Sequence, residues 1–297
     1  MNNKFFISII INCFNGEKFL EQAVCSVINQ TYSNWELIFW DNQSYDQSAQ
    51  IIKRLRHPKI RYFLSPKFTS LGEARSLAFS KSKGQWIAFL DCDDYWDRDK
   101  LKYQVNTIKA HNGNFGFVYS NAQLFSDIIK NNRTIRISVV KPGNKKKLPQ
   151  GNISKYLFSG NFVPFASILY KRKAIIEAGN FSKFKHCPDY YLNLAISLKN
   201  DVLAINKSLC FIRLHSSNLS KSLKEIGLLE SIEVVKILAP SKKLPRLLSV
   251  NQIRYLIYLI TNNKFSKVIK LMKKIKIANL FFGIIDLFKY LRRFHIG

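Results

Sequence analysis

Residues 5–12, with the sequence FFISIIIN, form the stretch that decides the fold. The stretch is apolar and rich in β-branched side chains up to its polar last residue, so it predicts a buried strand. Similar short runs recur in the first 120 residues, and segments with apolar residues at helical spacing separate them. This alternation predicts βαβ units around a mostly parallel sheet. The other strand candidates in this half are residues 35–40, 60–64, 86–90 and 115–119.

The helices predicted between these strands have apolar side chains three and four residues apart. The first carries an apolar stripe from Phe19 to Ile28, and Asp46 is the predicted N-cap of the second. The third is expected at about residues 72–82, and the fourth around Val105. Later expected elements are a strand at 165–170, a short helix with Ile175 and Ala178, a helix at 189–198, a strand at 209–214 and helices beyond about 216.

Residues 130–152 interrupt this order, because they combine prolines and glycines with the lysine run at 145–147. Such a composition predicts a solvated loop, and a mobile lid is the alternative.

The chain has 297 residues, with 47 Lys or Arg against 19 Asp or Glu, so its formal net charge is +28. This excess predicts an anionic partner such as phosphate, nucleic acid or a lipid surface. A hydrophobic fraction of 47% and a mean hydropathy of −0.10 argue against a disordered chain and against a polytopic membrane protein. Asp286 and Lys289 interrupt the longest apolar stretch before it reaches the roughly 20 residues of a membrane span. Any membrane contact is therefore expected to be peripheral.

The cysteines and the first residues both favour a cytoplasmic protein. None of the five cysteines forms a CxxC pair, so neither a disulfide framework nor a zinc ribbon is indicated. The apolar run near the start is short and is followed by Asn12-Cys13-Phe14-Asn15, which is no signal-peptide cleavage site.

Polar residues follow the first two predicted strands directly, at the edge where open α/β sheets bind ligands. Asn12, Phe14 and Asn15 come after the first strand, and Asp41 and Asn42 after the second. We therefore expect both groups to face one binding site.

The carboxylates Asp91, Asp93 and Asp94 give the strongest indication of a functional site, directly after the fourth predicted strand. Clustered carboxylates repel one another unless a cation offsets them, and their hard oxygens favour Mg²⁺ or Mn²⁺, which could clamp a diphosphate. The alternative is that Asp93 or Asp94 only caps the next helix. Asp189 likewise opens a later helix, where it could be an N-cap.

Two basic side chains complete the candidate set. Arg75, near the start of the third predicted helix, suits a phosphate, although a lone surface Arg is more often a solvated charge. His215 follows a predicted strand, where a histidine can complete a metal shell but is more often structural.

Together these stretches resemble the family 2 glycosyltransferases of the GT-A fold. The resemblance is close to about residue 125 and looser to about 218, and the tail lies outside it. It implies an α/β fold, with a Rossmann-like mixed sheet that is flanked by helices and binds a nucleotide-diphospho-sugar. Five stretches carry it in order: SIIINCFNG at 8–16, SVINQTY at 26–32, DNQSYD at 41–46, LGEAR at 71–75 and GQWIAFLDCDD at 84–94.

The resemblance implies a role for each candidate residue. Asp91-Cys92-Asp93 matches the metal-binding Asp-x-Asp motif, and Arg75 is implied to face the donor phosphates. Asp189 matches the general base of the family, although Pro188 replaces the Glu that normally precedes it. Asn42 stands where many relatives have a second Asp, and its amide can still pair with a uracil imide. The residues implied to hold the nucleoside are Asn12, Phe14, Asn15, Asp41 and Asn42.

The implied activity is an inverting sugar transfer from a nucleotide-diphosphate donor, a UDP-sugar by preference, with Mn²⁺ or Mg²⁺. The implied acceptor is a hydroxyl of a glycan or lipid-linked precursor in surface polysaccharide synthesis. A basic nucleic-acid-binding protein is one rival, but it leaves the acidic cluster unexplained, so no nucleic acid is expected. A non-catalytic lectin-like protein on the same fold is the other rival.

The expected organisation is a glycosyltransferase domain at 1–218 and a basic helical extension at 219–297. The domain divides into a nucleotide-sugar half at 1–120 and an acceptor half at 121–218. From residue 241 onward the tail has thirteen Lys or Arg and one acid. This pattern predicts peripheral binding to the inner face of the cell membrane, and a helix packed on the enzyme is the alternative. The predicted lipid-facing stripe is Ile284, Leu287, Phe288 and Leu291, with Lys267, Lys270, Lys274 and Arg293 as its basic residues.

Overall fold

The computed structural model describes residues 5–130, 133–138, 147–181, 183–273, 275 and 277–294. Within these ranges the strands form a single mixed sheet in the order β3-β2-β1-β4-β8-β6-β9-β5, with β7 paired to β6. Strands β1 to β4 are parallel, and the sheet turns antiparallel at β8. The strands are β1 Ile7–Cys13, β2 Trp35–Asp41, β3 Ile60–Leu64, β4 Trp86–Phe89, β5 Tyr95–Trp96, β6 Phe115–Lys130, β7 Arg133–Ser138, β8 Leu169–Lys171 and β9 Asp201–Arg213.

Helices cover both faces of the sheet, because the central strands are apolar on both sides. In β1, Ile10 packs into the core on one face, and Ile9 and Ile11 pack into the core on the other. The helices of the domain are α1 Glu17–Ile28, α2 Ser48–Leu55, α3 Leu71–Lys81, α4 Lys100–Lys109, α5 Ser154–Leu157, α6 Arg172–Ala178 and α7 Pro188–Ser197.

The register of the parallel strands brings their carboxyl ends together. Ile7 of β1 lies opposite Trp35 of β2 on one side and opposite Trp86 of β4 on the other. The loops after β1, β2 and β4 therefore leave the sheet side by side. The alternation of buried strands and helices predicted for the first 120 residues is confirmed.

Two local predictions were wrong. Asp46 is not the N-cap of α2, because the helix starts one residue later and Gln47 takes that position. The Asp46 carboxylate nevertheless accepts from the Ser48 and Glu17 backbone N–H groups, so it holds the first turns of two helices. The expected strand at 165–170 begins with a 3₁₀ turn at Phe165–Ser167, and only Leu169–Lys171 is strand.

The segment predicted as a loop at 130–152 is partly strand. Arg133–Ser138 forms β7, which pairs antiparallel with the end of β6. Its sequence, RTIRIS, alternates polar and apolar residues as strands do, but the Pro, Gly and Lys content of the following residues obscured this signal. Residues 139–146, which include the first two lysines of the run at 145–147, lie outside the described residues.

The C-terminal helices pack on the domain. Val234 and Val235 are buried in its main core, and the Asn251 side chain donates to the Phe158 carbonyl at 2.8 Å. In the part of the chain that the structure describes, no helix is both long and apolar enough to cross a membrane. These helices are α8 Leu219–Ser222, α9 Lys224–Leu238, α10 Leu244–Thr261, α11 Phe265–Met272 and α12 Ile277–Phe294.

Lys100, the first residue of α4, is a fully buried cation that links stability to pH. Its Nζ donates to Gln104 Oε1 at 3.0 Å and lies 3.9 Å from the centroid of the Trp96 ring. Burial lowers the pKa of Lys100 from 10.5 to about 7. Since the unfolded chain regains the ordinary pKa, it binds more protons than the folded protein between these two values, and stability rises with pH across that window.

We predict that Lys100→Met removes this contribution. The melting temperature of the wild type should rise relative to that of the variant as the pH increases from about 7 towards 10. Thermal unfolding at several pH values measures the difference. Lys102→Met, an exposed change on the same helix, is the control. A difference between wild type and Lys100→Met that stays constant with pH would contradict the titration of Lys100.

Candidate active site at the carboxyl ends of the strands

The guanidinium of Arg75 lies between two of the predicted carboxylates. Its Nη2 is 3.2 Å from Asp91 Oδ1, and its Nη1 is 3.9 Å from Asp189 Oδ1. The side chain is buried, and its guanidinium carbon lies 3.9 Å from the centroid of the Phe165 ring. Arg75 therefore joins the loop after β4 to the start of α7, although these residues are far apart in the sequence.

The start of α3 places Arg75 in this position. Ser70 caps the helix by accepting from the Glu73 N–H. A Cβ at Gly72 would collide with the backbone oxygens of Phe181 and Phe184, so only glycine lets α3 begin against the segment that leads to α7.

Asp93 and His215 form the second pair of contacting side chains in the site. His215 Nε2 lies 2.9 Å from Asp93 Oδ2, and the Asn218 amide donates to the same oxygen at 3.3 Å. The Asp93 carboxylate and the His215 imidazole are two groups that could hold a divalent cation, with phosphate oxygens and water as its remaining ligands. Asp91 is directed to Arg75 instead, and no group of three His, Cys, Asp or Glu side chains among the described residues could hold a metal ion.

The loop that carries these carboxylates is fixed by Arg213, the last residue of β9. The Arg213 N–H donates to Asp94 Oδ1 at 2.9 Å, and its Nε donates to the Asp93 carbonyl at 3.0 Å. Its other nitrogens contact Asp127 and Gln22. Burial, together with the charges of the neighbouring carboxylates, raises the pKa of Asp94 well above its usual range.

The alternative that Asp93 or Asp94 caps the next helix is wrong. That helix, α4, begins only at Lys100, after Asp99. Asp94 instead accepts from the end of β9, and Asp93 contacts His215. The N-cap alternative for Asp189 is also wrong, because Cys187 holds the cap position and no side chain caps the helix.

Asp41 and Asn42 are both buried, and both hold neighbouring loops. The Asp41 carboxylate accepts from the Ser44 N–H at 2.8 Å and from the Tyr62 hydroxyl at 2.7 Å. The Asn42 amide donates to the Thr69 carbonyl at 2.9 Å, and its oxygen accepts from the Thr69 hydroxyl and N–H. These bonds join the end of β2 to the loop before α3.

The residues at the end of β1 and just after it have two roles. Asn15 holds a neighbouring loop, whereas Asn12 and Phe14 have groups that a ligand can contact. Asn15 has a left-handed backbone with φ of 52°, and its side chain accepts from the Tyr45 N–H at 3.0 Å. The Nδ2 atom of Asn12 is buried and has no hydrogen-bond partner within the described ranges, so it is a donor for a ligand. Phe14 is partly exposed beside Tyr45 and Phe68, with ring centroids 5.9 and 4.7 Å from its own.

Asp189 is held by a network of amides that the sequence analysis missed. Asn161 Nδ2 donates to Asp189 Oδ2 at 2.9 Å, and Asn161 Oδ1 accepts from Asn193 at 3.3 Å. Asn193 in turn accepts from the Tyr170 hydroxyl at 2.6 Å, and both of these residues are fully buried. The Asp189 carboxylate therefore has a defined orientation at the end of a buried chain of hydrogen bonds.

Tyr45, Phe68 and Asn161 belong to the site but were not predicted as site residues. All three lie in irregular segments, where no periodic pattern marks a residue that faces a ligand. In the sequence, only the aromatic character of Tyr45 and Phe68 pointed to the site. Large apolar side chains in polar loops are unusual unless a ligand or another part of a protein covers them.

A match to a protein family identifies the class of protein to which the chain belongs. The model described as Glycosyl transferase family 2 matches residues 8–178, which is more than half of the chain and includes Arg75 and the Asp-x-Asp motif. The chain belongs to the family 2 glycosyltransferases. The predicted family and enzyme class are therefore confirmed, and the match ends shortly before Asp189.

Individual bacterial glycosyltransferases are similar in sequence to this chain. The Escherichia coli UDP-Glc:alpha-D-GlcNAc-diphosphoundecaprenol beta-1,3-glucosyltransferase WfgD is 29% identical over 68% of this chain and 74% of the relative. The putative teichuronic acid biosynthesis glycosyltransferase TuaG of Bacillus subtilis is 30% identical over 39% of this chain and 47% of its own length.

Solved structures confirm the predicted GT-A fold. The S. aureus enzyme TarS, in complex with UDP-GlcNAc, has a TM-score of 0.64 at 16% identity and covers 97% of this glycosyltransferase and 81% of TarS. A mannosyltransferase from Pyrobaculum calidifontis, in complex with GDP-Man and Mn²⁺, has a TM-score of 0.60 at 13% identity, with coverage of 99% and 87%.

Proposed function

We propose that this glycosyltransferase moves a sugar from a UDP-sugar to a hydroxyl of a lipid-linked glycan, with inversion at the anomeric carbon. The observation that carries the proposal is Arg75, which contacts both Asp91 and Asp189. The Asp-x-Asp motif and the Asp189 carboxylate, which is suited to be a base, thus face the same space. A direct displacement needs these two parts and no carboxylate nucleophile.

The donor is proposed to bind along the ends of β1, β2 and β4. The base would stack on the aromatic group of Phe14, Tyr45 and Phe68, and the buried Asn12 amide would donate to it or to the ribose. The loops held by Asp41 and Asn42 form the floor of this space.

The diphosphate is proposed to lie between Arg75 and the Asp93–His215 pair. The guanidinium would stabilise the charge that grows on the diphosphate as it leaves. When bound, a divalent cation at Asp93 and His215 would offset the same charge. Asp91 would then act through Arg75, whose position it fixes.

Asp189 is proposed to be the general base. It would accept the proton of the acceptor hydroxyl while that oxygen attacks the anomeric carbon and the bond to the diphosphate breaks. The Asn161 amide holds one carboxylate oxygen, so the other is left towards Arg75 and the reacting groups. Asn161 is a positioning residue in this scheme.

The proposed acceptor follows from the relatives. The name of WfgD specifies a UDP-Glc donor and a GlcNAc-diphosphoundecaprenol acceptor, and the name of TuaG refers to teichuronic acid biosynthesis. We therefore propose a sugar-diphospho-lipid acceptor in surface polysaccharide synthesis for this chain as well.

We predict that Asp189→Asn lowers kcat by roughly 10² to 10⁴-fold, because the amide cannot take the proton, while UDP affinity stays unchanged. Asn161→Ala should lower kcat by about tenfold or more through a misplaced base. In the Asp189→Asn background it should have no further effect, since no base is left to position. The assay is UDP release from UDP-glucose with Mn²⁺ and a GlcNAc-diphospho-lipid.

The control for this cycle is Asn114→Ala, which removes an exposed amide that contacts Asn200. It should leave kcat unchanged. Additive losses from Asn161→Ala and Asp189→Asn would mean that Asn161 acts on folding rather than on the base. Near-normal turnover of Asp189→Asn, or a wild type that transfers from no UDP-sugar, would contradict the proposed function.

The membrane is proposed to bind the outer face of α12. The predicted apolar stripe is divided by the fold: Leu287 and Leu291 pack against α10, whereas Ile284 and Phe288 are 40% and 69% exposed. Phe281, which is 63% exposed, extends the outer face at helical spacing. We propose that Phe281, Ile284 and Phe288 enter the headgroup region of the bilayer.

Basic residues next to this face would add attraction to anionic lipid. A cavity of about 360 Å³ beside α12 carries Lys155, Arg246, Lys289 and Arg293 against the single acid Asp286 in its lining. Of the predicted basic residues, Lys267 is paired with Glu225 at 2.6 Å, and Lys274 lies outside the described residues. Because Arg246 is paired with Asp286, we propose that Lys155, Lys289 and Arg293 of the cavity add to the attraction of the exposed Lys270.

We predict that Phe281→Ser/Phe288→Ser reduces binding to phosphatidylglycerol vesicles several-fold and leaves the melting temperature unchanged, because both rings are exposed. Vesicle co-sedimentation at low and high salt measures this, with phosphatidylcholine vesicles as the neutral comparison. The matched control is Ile176→Ser, an equally exposed apolar side chain on α6. Equal sedimentation of the double variant and the wild type would reject α12 as the lipid-binding face.

A further inference from the structure

Two cysteine thiols meet inside the proposed donor site. Cys13 is the last residue of β1, and Cys92 is the central residue of the Asp-x-Asp motif. The Cys13 thiol donates to the Ser48 hydroxyl oxygen at 3.5 Å. Both sulfurs also converge on the start of α1, since a Cβ placed on Gly16 would lie 2.7 Å from Cys13 Sγ and 3.0 Å from Cys92 Sγ.

The register of the sheet explains why these thiols meet. In the ladder between β1 and β4, Ile10 lies opposite Phe89, and each cysteine is three residues further along its own chain. Neighbouring strands are about 4.8 Å apart, and a disulfide needs its Cα atoms roughly 4.4 to 6.8 Å apart. Just beyond the ladder the Leu90 N–H donates to the Ile10 carbonyl at 3.0 Å, so the two chains leave the sheet side by side and bring the two cysteines near one another.

The two cysteines also differ in access, as an oxidisable pair requires. Cys92 is partly exposed in the turn after β4, where the Asp94 N–H donates to the Asp91 carbonyl. Cys13 is buried in the strand behind it. An oxidant from solvent would thus reach Cys92 first and find Cys13 in contact.

We propose that Cys13 and Cys92 form a reversible disulfide that closes the donor site. With hydrogen peroxide as oxidant, the Cys92 sulfur takes one peroxide oxygen as the O–O bond breaks, which gives a sulfenic acid and water. The Cys13 sulfur then attacks the Cys92 sulfur, the S–O bond breaks and a second water leaves. In sum, two thiols and one peroxide give one disulfide and two waters.

The disulfide would disable the site through the motif that contains Cys92. A sulfur–sulfur bond of about 2.05 Å is much shorter than a contact between two thiols, so its formation would draw Cys92 towards Cys13. Asp91 and Asp93 flank Cys92 and would move with it, away from Arg75 and His215. This part of the inference rests on the proposed function of those residues, whereas formation of the bond does not.

The test uses the full-length protein treated with hydrogen peroxide, alkylated and mapped by peptide mass spectrometry. We expect a linked peptide pair that contains Cys13 and Cys92, and dithiothreitol should remove it. Calorimetric titration with UDP and Mn²⁺ should show at least about tenfold weaker binding after oxidation and full recovery after reduction. Bound UDP and Mn²⁺ should also slow formation of the disulfide.

Three variants separate the pair from general oxidation. Cys92→Ser and Cys13→Ser, tested independently, should each show the same UDP affinity before and after peroxide treatment, whatever that affinity is relative to the wild type. Cys25→Ser, which removes a partly exposed thiol on α1, should behave as the wild type does. If either variant of the pair fails to fold, the other still decides the question.

Absence of the Cys13–Cys92 peptide pair would overturn the proposal, and so would a disulfide that leaves UDP binding unchanged. An equal peroxide-induced loss in Cys92→Ser would also overturn it. If the reduced wild type binds neither UDP nor any other nucleotide diphosphate, the proposed donor site is wrong, while the peptide map still decides whether the disulfide forms.

Discussion

The buried guanidinium of Arg75 holds the two halves of the site together. A cation that has left water must be compensated, and Asp91 and Asp189 supply opposite charge from two separate parts of the chain. The ring of Phe165 supports one face of the guanidinium. Because one side chain contacts both carboxylates, the Asp-x-Asp motif and the start of α7 keep a fixed position relative to one another.

The sheet makes this contact possible. Parallel strands send their following loops to one edge, and the register of β1, β2 and β4 places those loops side by side. Strand β9 and the residues that follow it then bring Arg213 and His215 against the loop that carries the carboxylates. The site is thus built where the parallel part of the sheet meets the antiparallel part, and the enzyme class shown by the family is consistent with its chemistry.

Much of this arrangement could be predicted from the sequence, because apolar runs fix buried strands and parallel strands fix the edge where ligands bind. The contact of Arg75 with Asp189 could not, since no spacing relates residues on separate elements. Asn161 lies in an irregular segment, and no pattern shows that its amide meets a carboxylate. In α12 the helical period was evident, but the position of α10 decides that Leu287 is buried and Phe288 exposed.

The central claim is that Arg75 and the Asp93–His215 pair enclose the donor diphosphate. Anomalous diffraction from crystals soaked with UDP and Mn²⁺ tests it most directly. The account predicts a manganese peak beside Asp93 Oδ2 and His215 Nε2, with the diphosphate between that peak and the guanidinium of Arg75. Manganese and UDP bound together at another place, with the diphosphate remote from Arg75, would contradict it.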